Sequence, residues 1–151
     1  MEELNIYCDG GARGNPGPAA SSFIVLVNGK EIHNESKFLG ETTNNVAEYN
    51  AVLMAFKWLS QYLEKNKYSK VIFFLDSQLV VKQLRGFYKI KSERLRPLIL
   101  TIKKMENILN ENIFYTYIPR NRNRRTDFLV NKILDEKTRQ ISRPRNSEKN
   151  I

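Results

Sequence analysis

The chain has 151 residues, of which 41% are hydrophobic, and this suits one globular domain with a core of its own. Its net charge of +9 favours a polyanionic partner, either a nucleic acid or an anionic membrane. The single cysteine, Cys8, excludes an internal disulfide and a cysteine-rich zinc cluster, and the single histidine, His33, excludes a histidine-rich metal site.

Targeting and membrane signals are lacking in the sequence. No apolar run approaches the roughly 20 residues of a membrane helix, and the acidic segment MEELNIYCDGG does not resemble a secretion signal. A lone thiol suits a reducing compartment. We therefore expect a cytoplasmic protein that makes no membrane contact, has no obligate protein partner and acts as a monomer.

The first part of the chain predicts an antiparallel meander. Leu4, Ile6 and Cys8 alternate with polar residues, which indicates a strand with Asp9 on its opposite face. A loop rich in glycine and proline, GGARGNPGPAA, follows Asp9. Two further strands are predicted on either side of Asn28-Gly29, because Asn-Gly is the strongest short hairpin signal.

The middle of the chain predicts alternating helices and strands. A helix is expected from Thr43 to about residue 66, because its apolar residues recur at helical spacing. The apolar run KVIFFLD indicates a buried strand that ends at Asp76. SQLVVKQLRG then predicts a short helix with Ser77 as its N-cap.

The last part of the chain begins with a basic connector, FYKIKSER. A helix with Pro97 in its first turn follows, and IFYTYIP predicts a fifth strand. The basic loop RNRNRRT leads to a final helix that opens at Asp127. The domain is expected to end at residue 136, and the polar, basic residues 137–151 are expected to form a disordered tail.

This order of elements predicts the α/β class. The first three strands would form the meander, and right-handed crossovers would add two parallel strands. The result is a mixed five-stranded sheet flanked by helices.

Four carboxylates stand at the ends of predicted elements or on a face that packs against the sheet. They are Asp9, Glu48, Asp76 and Asp127. Taken singly, each has an ordinary structural explanation, as a strand end, a helix cap or a favourable charge at a helix N-terminus. Taken together, they would meet at one edge of the sheet, where their repulsion requires cations. Oxygen ligands without Cys or His favour hard ions such as Mg²⁺ or Mn²⁺.

Four segments resemble the motif blocks of type 1 ribonuclease H, in that family's order and spacing. They are CDGGARGNPGPAA, TTNNVAEYNAVL, DSQLVVKQLRGFYKIK and RNRNRRTDFLVNKIL, and together they extend the resemblance from about Leu4 to Leu134. The resemblance implies the ribonuclease H-like fold and a catalytic domain over residues 1–136. It also implies an endonuclease that cuts the RNA strand of RNA/DNA hybrids.

The resemblance further implies the chemistry of the site. Asp9, Glu48, Asp76 and Asp127 would be the catalytic residues and would bind two Mg²⁺ ions, or Mn²⁺, about 4 Å apart across the scissile phosphate. The products would carry 5′-phosphate and 3′-hydroxyl ends.

Contacts with the hybrid are expected from side-chain amides, a hydroxyl and several cations around these blocks. The residues are Asn15, Thr43, Asn44, Asn45, Gln78, Lys89, Lys91, Arg120 and Asn123. Amides both donate and accept, which suits recognition of ribose 2′-hydroxyls. Some bacterial relatives have a histidine in the loop before the last aspartate, whereas here that loop is rich in arginine, including Arg120.

Two other functions remain open from the sequence. The chain would be a non-catalytic hybrid- or RNA-binding module if the fold were used for binding alone. It would be a junction-resolving or integrase-like DNA nuclease if the same carboxylates acted on DNA. Retention of all four acidic positions favours an enzyme, and the first two blocks match ribonuclease H better than the DNA nucleases.

Overall fold

The computed structural model describes residues 2–86, 92–110 and 112–142. These residues contain five strands: β1 (Glu3–Ala12), β2 (Gly17–Val27), β3 (Lys30–Thr42), β4 (Lys70–Leu75) and β5 (Ile113–Tyr117). The helices are α1 (Asn44–Tyr62), α2 (Gln78–Leu84), α3 (Arg96–Leu109) and α4 (Arg124–Ser142), and one 3-10 turn, Arg120–Arg122, precedes α4.

The strands form one mixed sheet in the order β3-β2-β1-β4-β5. β1 and β3 are both antiparallel to β2, whereas β4 is parallel to β1 and β5 is parallel to β4. The predicted mixed five-stranded sheet is therefore confirmed. The hairpin between β2 and β3 turns at Asn28 and Gly29, whose φ angles of 51° and 75° are those of a type I′ turn.

The main core lies between α1 and one face of the sheet. The helix buries Tyr49, Val52 and Phe56 completely, as its helical spacing predicted. The rings of Phe56 and Phe73 stack with their centroids 4.8 Å apart, which joins α1 to β4. On the other face, α4 packs Val130 against Ala20 of β2. These two helices therefore hold the sheet from opposite sides at the edge where Asp9 lies.

Helix α4 is longer at both ends than the sequence predicted. It begins at Arg124, three residues before Asp127, and continues to Ser142. The expectation of a disordered tail from residue 137 is therefore wrong for residues 137–142. Their good intrinsic helix formers extend the helix, and the Lys137 Nζ atom lies 5.4 Å from the centroid of the Phe38 ring on β3.

Two of the predicted segments lie outside the described residues. They are the part of the basic connector that contains Lys89 and Lys91, and residues 143–151. Among the described residues, none of the helices combines the length and the apolar character needed to cross a lipid bilayer.

Candidate active site

The parallel pairing of β1 with β4 brings two aspartates to the same edge of the sheet. Tyr7 is paired with Phe74, and two residues further along each strand the chain carries Asp9 and Asp76. The carboxyl ends of neighbouring parallel strands share one edge, where sites in open α/β sheets are usually found. The sequence prediction that these two residues are neighbours follows from this register.

Glu48 reaches the same edge because α1 crosses β1 in backbone contact. A Cβ atom on Gly10 would lie 2.2 Å from the carbonyl carbon of Ala47, so only glycine fits at this crossing. The buried Ser21 hydroxyl donates to the Ala47 carbonyl at 2.6 Å and ties the helix to β2 as well. The next residue of the helix, Glu48, is therefore held at this edge, where its charge interacts mainly with that of Asp76 and more weakly with that of Asp9.

Asp127 enters through the first turn of α4. Its backbone N–H donates to the Asn123 carbonyl at 3.1 Å, which starts the helix. The buried Ser22 hydroxyl of β2 donates to the Thr126 carbonyl at 2.7 Å, and this bond anchors that turn on the sheet. The charge of Asp127 consequently lies close enough to Asp9 to affect its pKa.

Asn123 has a different role from the predicted substrate contact. Its side chain is only 1% exposed. Nδ2 donates to the Cys8 carbonyl at 2.8 Å and to Asp76 Oδ2 at 3.0 Å, while Oδ1 accepts a hydrogen bond from the Thr126 hydroxyl. In this structure the amide serves the protein itself, and the substrate contact stays a prediction. Asn123 orients Asp76, and the sequence signal for this role was an asparagine just before the final helix.

The electrostatics of the cluster show an excess of negative charge. Burial, followed by repulsion from Asp76 and Asp127, raises the pKa of Asp9 to about 8. Burial, followed by repulsion from Asp76, raises the pKa of Glu48 to about 7, although a hydrogen bond from Ser77 and the charge of Arg120 act in the opposite direction. Carboxylates with raised pKa values are stabilised by a bound cation.

The donor chemistry fits a hard divalent ion. The four side chains offer only carboxylate oxygens, which are the ligands that Mg²⁺ and Mn²⁺ prefer. Within the part of the chain that the structure describes, no three His, Cys, Asp or Glu side chains form a ready-made cage for an ion. Mutual repulsion keeps like charges apart, so a bound ion would have to draw these carboxylates together.

The carboxylates border a cleft of about 450 Å³. The side chains around it come from β1, the glycine-rich loop, α1, the 3-10 turn and α4. Its polar and charged lining comprises Asp9, Arg13, Asn15, Asn44, Asn45, Glu48, Arg120, Asp127 and Asn131. Four of the predicted substrate residues, Asn15, Asn44, Asn45 and Arg120, are therefore in one cleft with three of the four carboxylates.

The glycine-rich loop is joined to the start of α1 by two amides. The Asn44 N–H donates to Asn15 Oδ1 at 3.0 Å, and the Ala12 N–H donates to Asn44 Oδ1 at 2.8 Å. These bonds occupy the carbonyl ends of both side chains and fix their orientation at the cleft. The Thr43 hydroxyl accepts from the Val46 N–H at 3.2 Å and so caps the helix.

The remaining predicted substrate residues are not part of this cleft lining. Gln78 is exposed at the start of α2, and Lys89 and Lys91 lie outside the described residues. Conversely, Arg13 and Asn131 line the cleft although the sequence analysis assigned neither to the site. The signal for Arg13 was a charged residue within a loop otherwise built of glycine, proline and small residues.

The amino-acid sequence is similar to a known family model and to several known proteins. The family model described as "Reverse transcriptase-like" matches residues 7–133. The chain is 31% identical to ribonuclease HI from Halobacterium salinarum, over 88% of this chain and 65% of that protein. It is 34% identical to the bifunctional protein Rv2228c from Mycobacterium tuberculosis, over 86% of this chain and 35% of that protein. The chain thus spans between about a third and two thirds of the length of these relatives. Ribonuclease H from Helicobacter acinonychis is 33% identical, over 72% of this chain and 78% of that protein.

Solved structures that are similar to this chain are also ribonucleases H. LC11-RNase H1, isolated from compost by a metagenomic approach, is 39% identical with a TM-score of 0.86, over 91% of this chain and 99% of that one. Its complex with an RNA/DNA hybrid matches at 38% identity with a TM-score of 0.83, over 89% and 99% of the two chains. RNase H1 from Halobacterium salinarum has a TM-score of 0.80 at 31% identity, over 89% of this chain and 98% of that one.

Proposed function

The chain belongs to the ribonuclease H family, and from this premise we propose that it is an endonuclease that hydrolyses the RNA strand of RNA/DNA hybrids. One observation carries the proposal: Asp9, Glu48 and Asp127 line one cleft with amides and arginines, and Asp76 lies close enough to raise the pKa of both Asp9 and Glu48. A related structure, LC11-RNase H1, binds an RNA/DNA hybrid, which supports the same class of substrate for this chain.

The four carboxylates are the proposed ligands of the catalytic ions. Two Mg²⁺ or Mn²⁺ ions bound by Asp9, Glu48, Asp76 and Asp127 would supply an activated water and stabilise the leaving 3′-oxygen, giving 5′-phosphate and 3′-hydroxyl products. Asn123 holds one oxygen of Asp76 at 3.0 Å, and therefore restricts the orientation that this carboxylate presents to the reaction. The pairing of β1 with β4 and the crossing of α1 over Gly10 fix the backbones at Asp9 and Glu48, and the bond from Ser22 to the Thr126 carbonyl holds the turn that carries Asp127.

Recognition of the RNA strand is assigned to the amides of the cleft. Asn15 and Asn44 are held through their carbonyl ends, which turns their Nδ2 donors toward a ligand. Together with Asn45, they would contact ribose 2′-hydroxyls and minor-groove edges, which distinguish RNA from DNA. Thr43 and Gln78 would contribute at the rim, and Lys89 and Lys91 would bind backbone phosphates of the DNA strand.

Arg120 is proposed to hold a phosphate near the carboxylates. Its charge lowers the pKa of Glu48, although burial and repulsion from Asp76 still raise that pKa to about 7 overall. An arginine remains protonated at neutral pH, so its role is binding and not proton transfer. The proposal includes action as a cytoplasmic monomer, and the single, buried and free cysteine suits a reducing compartment.

A substrate panel tests the proposed function. The purified chain is incubated with an RNA/DNA hybrid, duplex RNA, duplex DNA and a four-way junction, each with and without Mg²⁺. We expect Mg²⁺-dependent cutting of the RNA strand of the hybrid, with 5′-phosphate ends. Asp76→Asn should abolish cutting, whereas removal of an exposed charge by Glu64→Gln should not.

The other outcomes identify the alternatives. Binding of the hybrid without any cutting in Mg²⁺ or Mn²⁺ would indicate a binding module. Cutting of the junction in preference to the hybrid would indicate a DNA nuclease on the same fold.

A further inference from the structure

The glycine-rich loop carries one arginine, Arg13, whose backbone position is tightly fixed. Its N–H donates to the Pro18 carbonyl at 2.8 Å. A Cβ atom on Gly17 would lie 2.1 Å from the Arg13 carbonyl oxygen, so the two sides of the loop are in contact. The Ala12 N–H is bonded to Asn44, which ties the residue before Arg13 to α1. Arg13 therefore projects into the cleft from a rigid base.

The Arg13 side chain reaches across the cleft to α4. Its Nη2 atom lies 2.6 Å from Asp135 Oδ1 and 3.3 Å from Asn131 Oδ1. Asp127, Asn131 and Asp135 recur every four residues, so they lie along one face of the helix. Asp127 and Asp135 are about 12 Å apart along the helix axis, at about 1.5 Å per residue. The Arg13 guanidinium consequently lies one to two turns of α4, or about 6–12 Å along its axis, from Asp127 and on the same cleft.

The ion pair between Arg13 and Asp135 is open to water. Their side chains are 39% and 58% exposed, and ion pairs at this exposure contribute little to stability. A phosphodiester group accepts two parallel hydrogen bonds from a guanidinium and is a better partner than a single carboxylate oxygen. Nucleic-acid binding also releases counterions. The arginine can therefore exchange the aspartate for a phosphate at small cost.

We propose that Arg13 binds a backbone phosphate of the duplex, away from the phosphate at the carboxylates, and that Asp135 competes for the same guanidinium. The inference depends on the proposed function only in requiring a nucleic-acid duplex in the cleft. Asp135 then weakens the binding of every duplex that fills this position, including the cut product.

A double-mutant cycle in a binding assay tests the proposal. Labelled RNA/DNA hybrid and duplex DNA are titrated with the protein in EDTA over a range of NaCl concentrations, with fluorescence anisotropy as the signal. Arg13→Gln should weaken binding of both duplexes about three- to ten-fold and lower the salt slope by about one unit. Asp135→Asn should tighten binding about two- to five-fold, but when Arg13→Gln is also present it should have no more effect than Glu136→Gln.

Glu136→Gln provides the matched control. Glu136 is the next residue of α4 and is also exposed, so its loss removes the same charge without releasing Arg13. It should change the affinity equally in the wild-type and Arg13→Gln backgrounds.

Three results would overturn the inference. They are an Asp135→Asn effect that is undiminished without Arg13, an unchanged salt slope in Arg13→Gln, and a wild-type protein that binds neither duplex. Failure of the proposed function is a separate result, since the protein would then bind duplexes but leave the hybrid uncut in Mg²⁺.

Discussion

Replacing Asp9 with asparagine is expected to stabilise the metal-free protein and to abolish hydrolysis. Asparagine keeps the shape of the side chain and the Oδ1 atom, which accepts a hydrogen bond from the Gly10 N–H at 2.9 Å. It removes a negative charge from a position that is only 8% exposed and faces other carboxylates. This one substitution therefore shows how much stability the folded protein loses by holding the carboxylates close together, separately from what they contribute to activity.

The magnitude follows from the pKa of Asp9, which burial and the repulsion from Asp76 and Asp127 raise from 3.8 to about 8. The folded state then binds more protons than the unfolded state between these values, so stability falls as the pH rises through this window. At about pH 7 the ionised Asp9 side chain therefore lowers the free energy of unfolding by at most about 4 kcal/mol, at ~1.4 kcal/mol per pKa unit. Relaxation of the surrounding side chains makes this loss smaller. We expect Asp9→Asn to raise the free energy of unfolding by about 2 kcal/mol, which corresponds to about 4–8 °C in Tm.

Thermal denaturation in EDTA measures this effect. The Tm gain of Asp9→Asn should be small near pH 5, which is about one unit above the unfolded pKa, and should grow toward about pH 8. Glu64→Gln removes an exposed charge and should show no comparable pH-dependent gain. If Asp9→Asn does not raise the Tm, or raises it equally at both pH values, the charge of Asp9 does not destabilise the folded protein.

Three further predictions concern the same site. Gly10→Ala should cost about 1–3 kcal/mol of stability and most of the activity, because the new Cβ would lie 2.2 Å from the Ala47 carbonyl carbon; Gly11→Ala, whose Cβ would meet Val130 Cγ1 at 3.9 Å, should leave both nearly unchanged in melting and cleavage assays. Thr126→Val should lower kcat and raise the Mg²⁺ concentration needed for half-maximal activity, because it removes the hydroxyl that orients Asn123; Thr126→Ser should restore both, and equal effects of Val and Ser would contradict this role. A block of 2′-deoxy residues within the RNA strand should stop cutting across that block, because the amides of the cleft would lose 2′-hydroxyl partners; gel mapping that shows undiminished cutting there would exclude this recognition.

Much of the fold was predicted from local patterns. The Asn28-Gly29 turn needs two positive φ angles, which Asn and Gly tolerate, so these two residues were enough to predict the hairpin. The buried face of α1 followed from helical spacing, and β4 from its continuous apolar run. The beginning and end of α4 were missed because Asn123 begins the helix through its backbone carbonyl, and because the mostly polar residues after Glu136 include the good helix formers Lys137, Arg139 and Gln140.

Of the candidate site, the sequence predicted the four carboxylates and four further residues of the cleft, Asn15, Asn44, Asn45 and Arg120. Asp9, Glu48, Asp76 and Asp127 were found because each has an unusual position within its own element and together they match a family pattern. How they are held depends on contacts between distant parts of the chain. Asn123 donates to Cys8, which is 115 residues away, and Arg13 contacts Asn131 across 118 residues.

The sequence by itself determined most of the elements, the four acidic residues of the candidate site and the family, because periodicity, turn chemistry and motif spacing are properties of neighbouring residues. Only the tertiary structure decided that Asn123 faces inward, that Gly10 is a crossing point and that Arg13 pairs with Asp135. The physical reason is that asparagine, glycine and arginine each suit several environments. The environment that each of these residues occupies depends on the groups that pack against it in the folded protein.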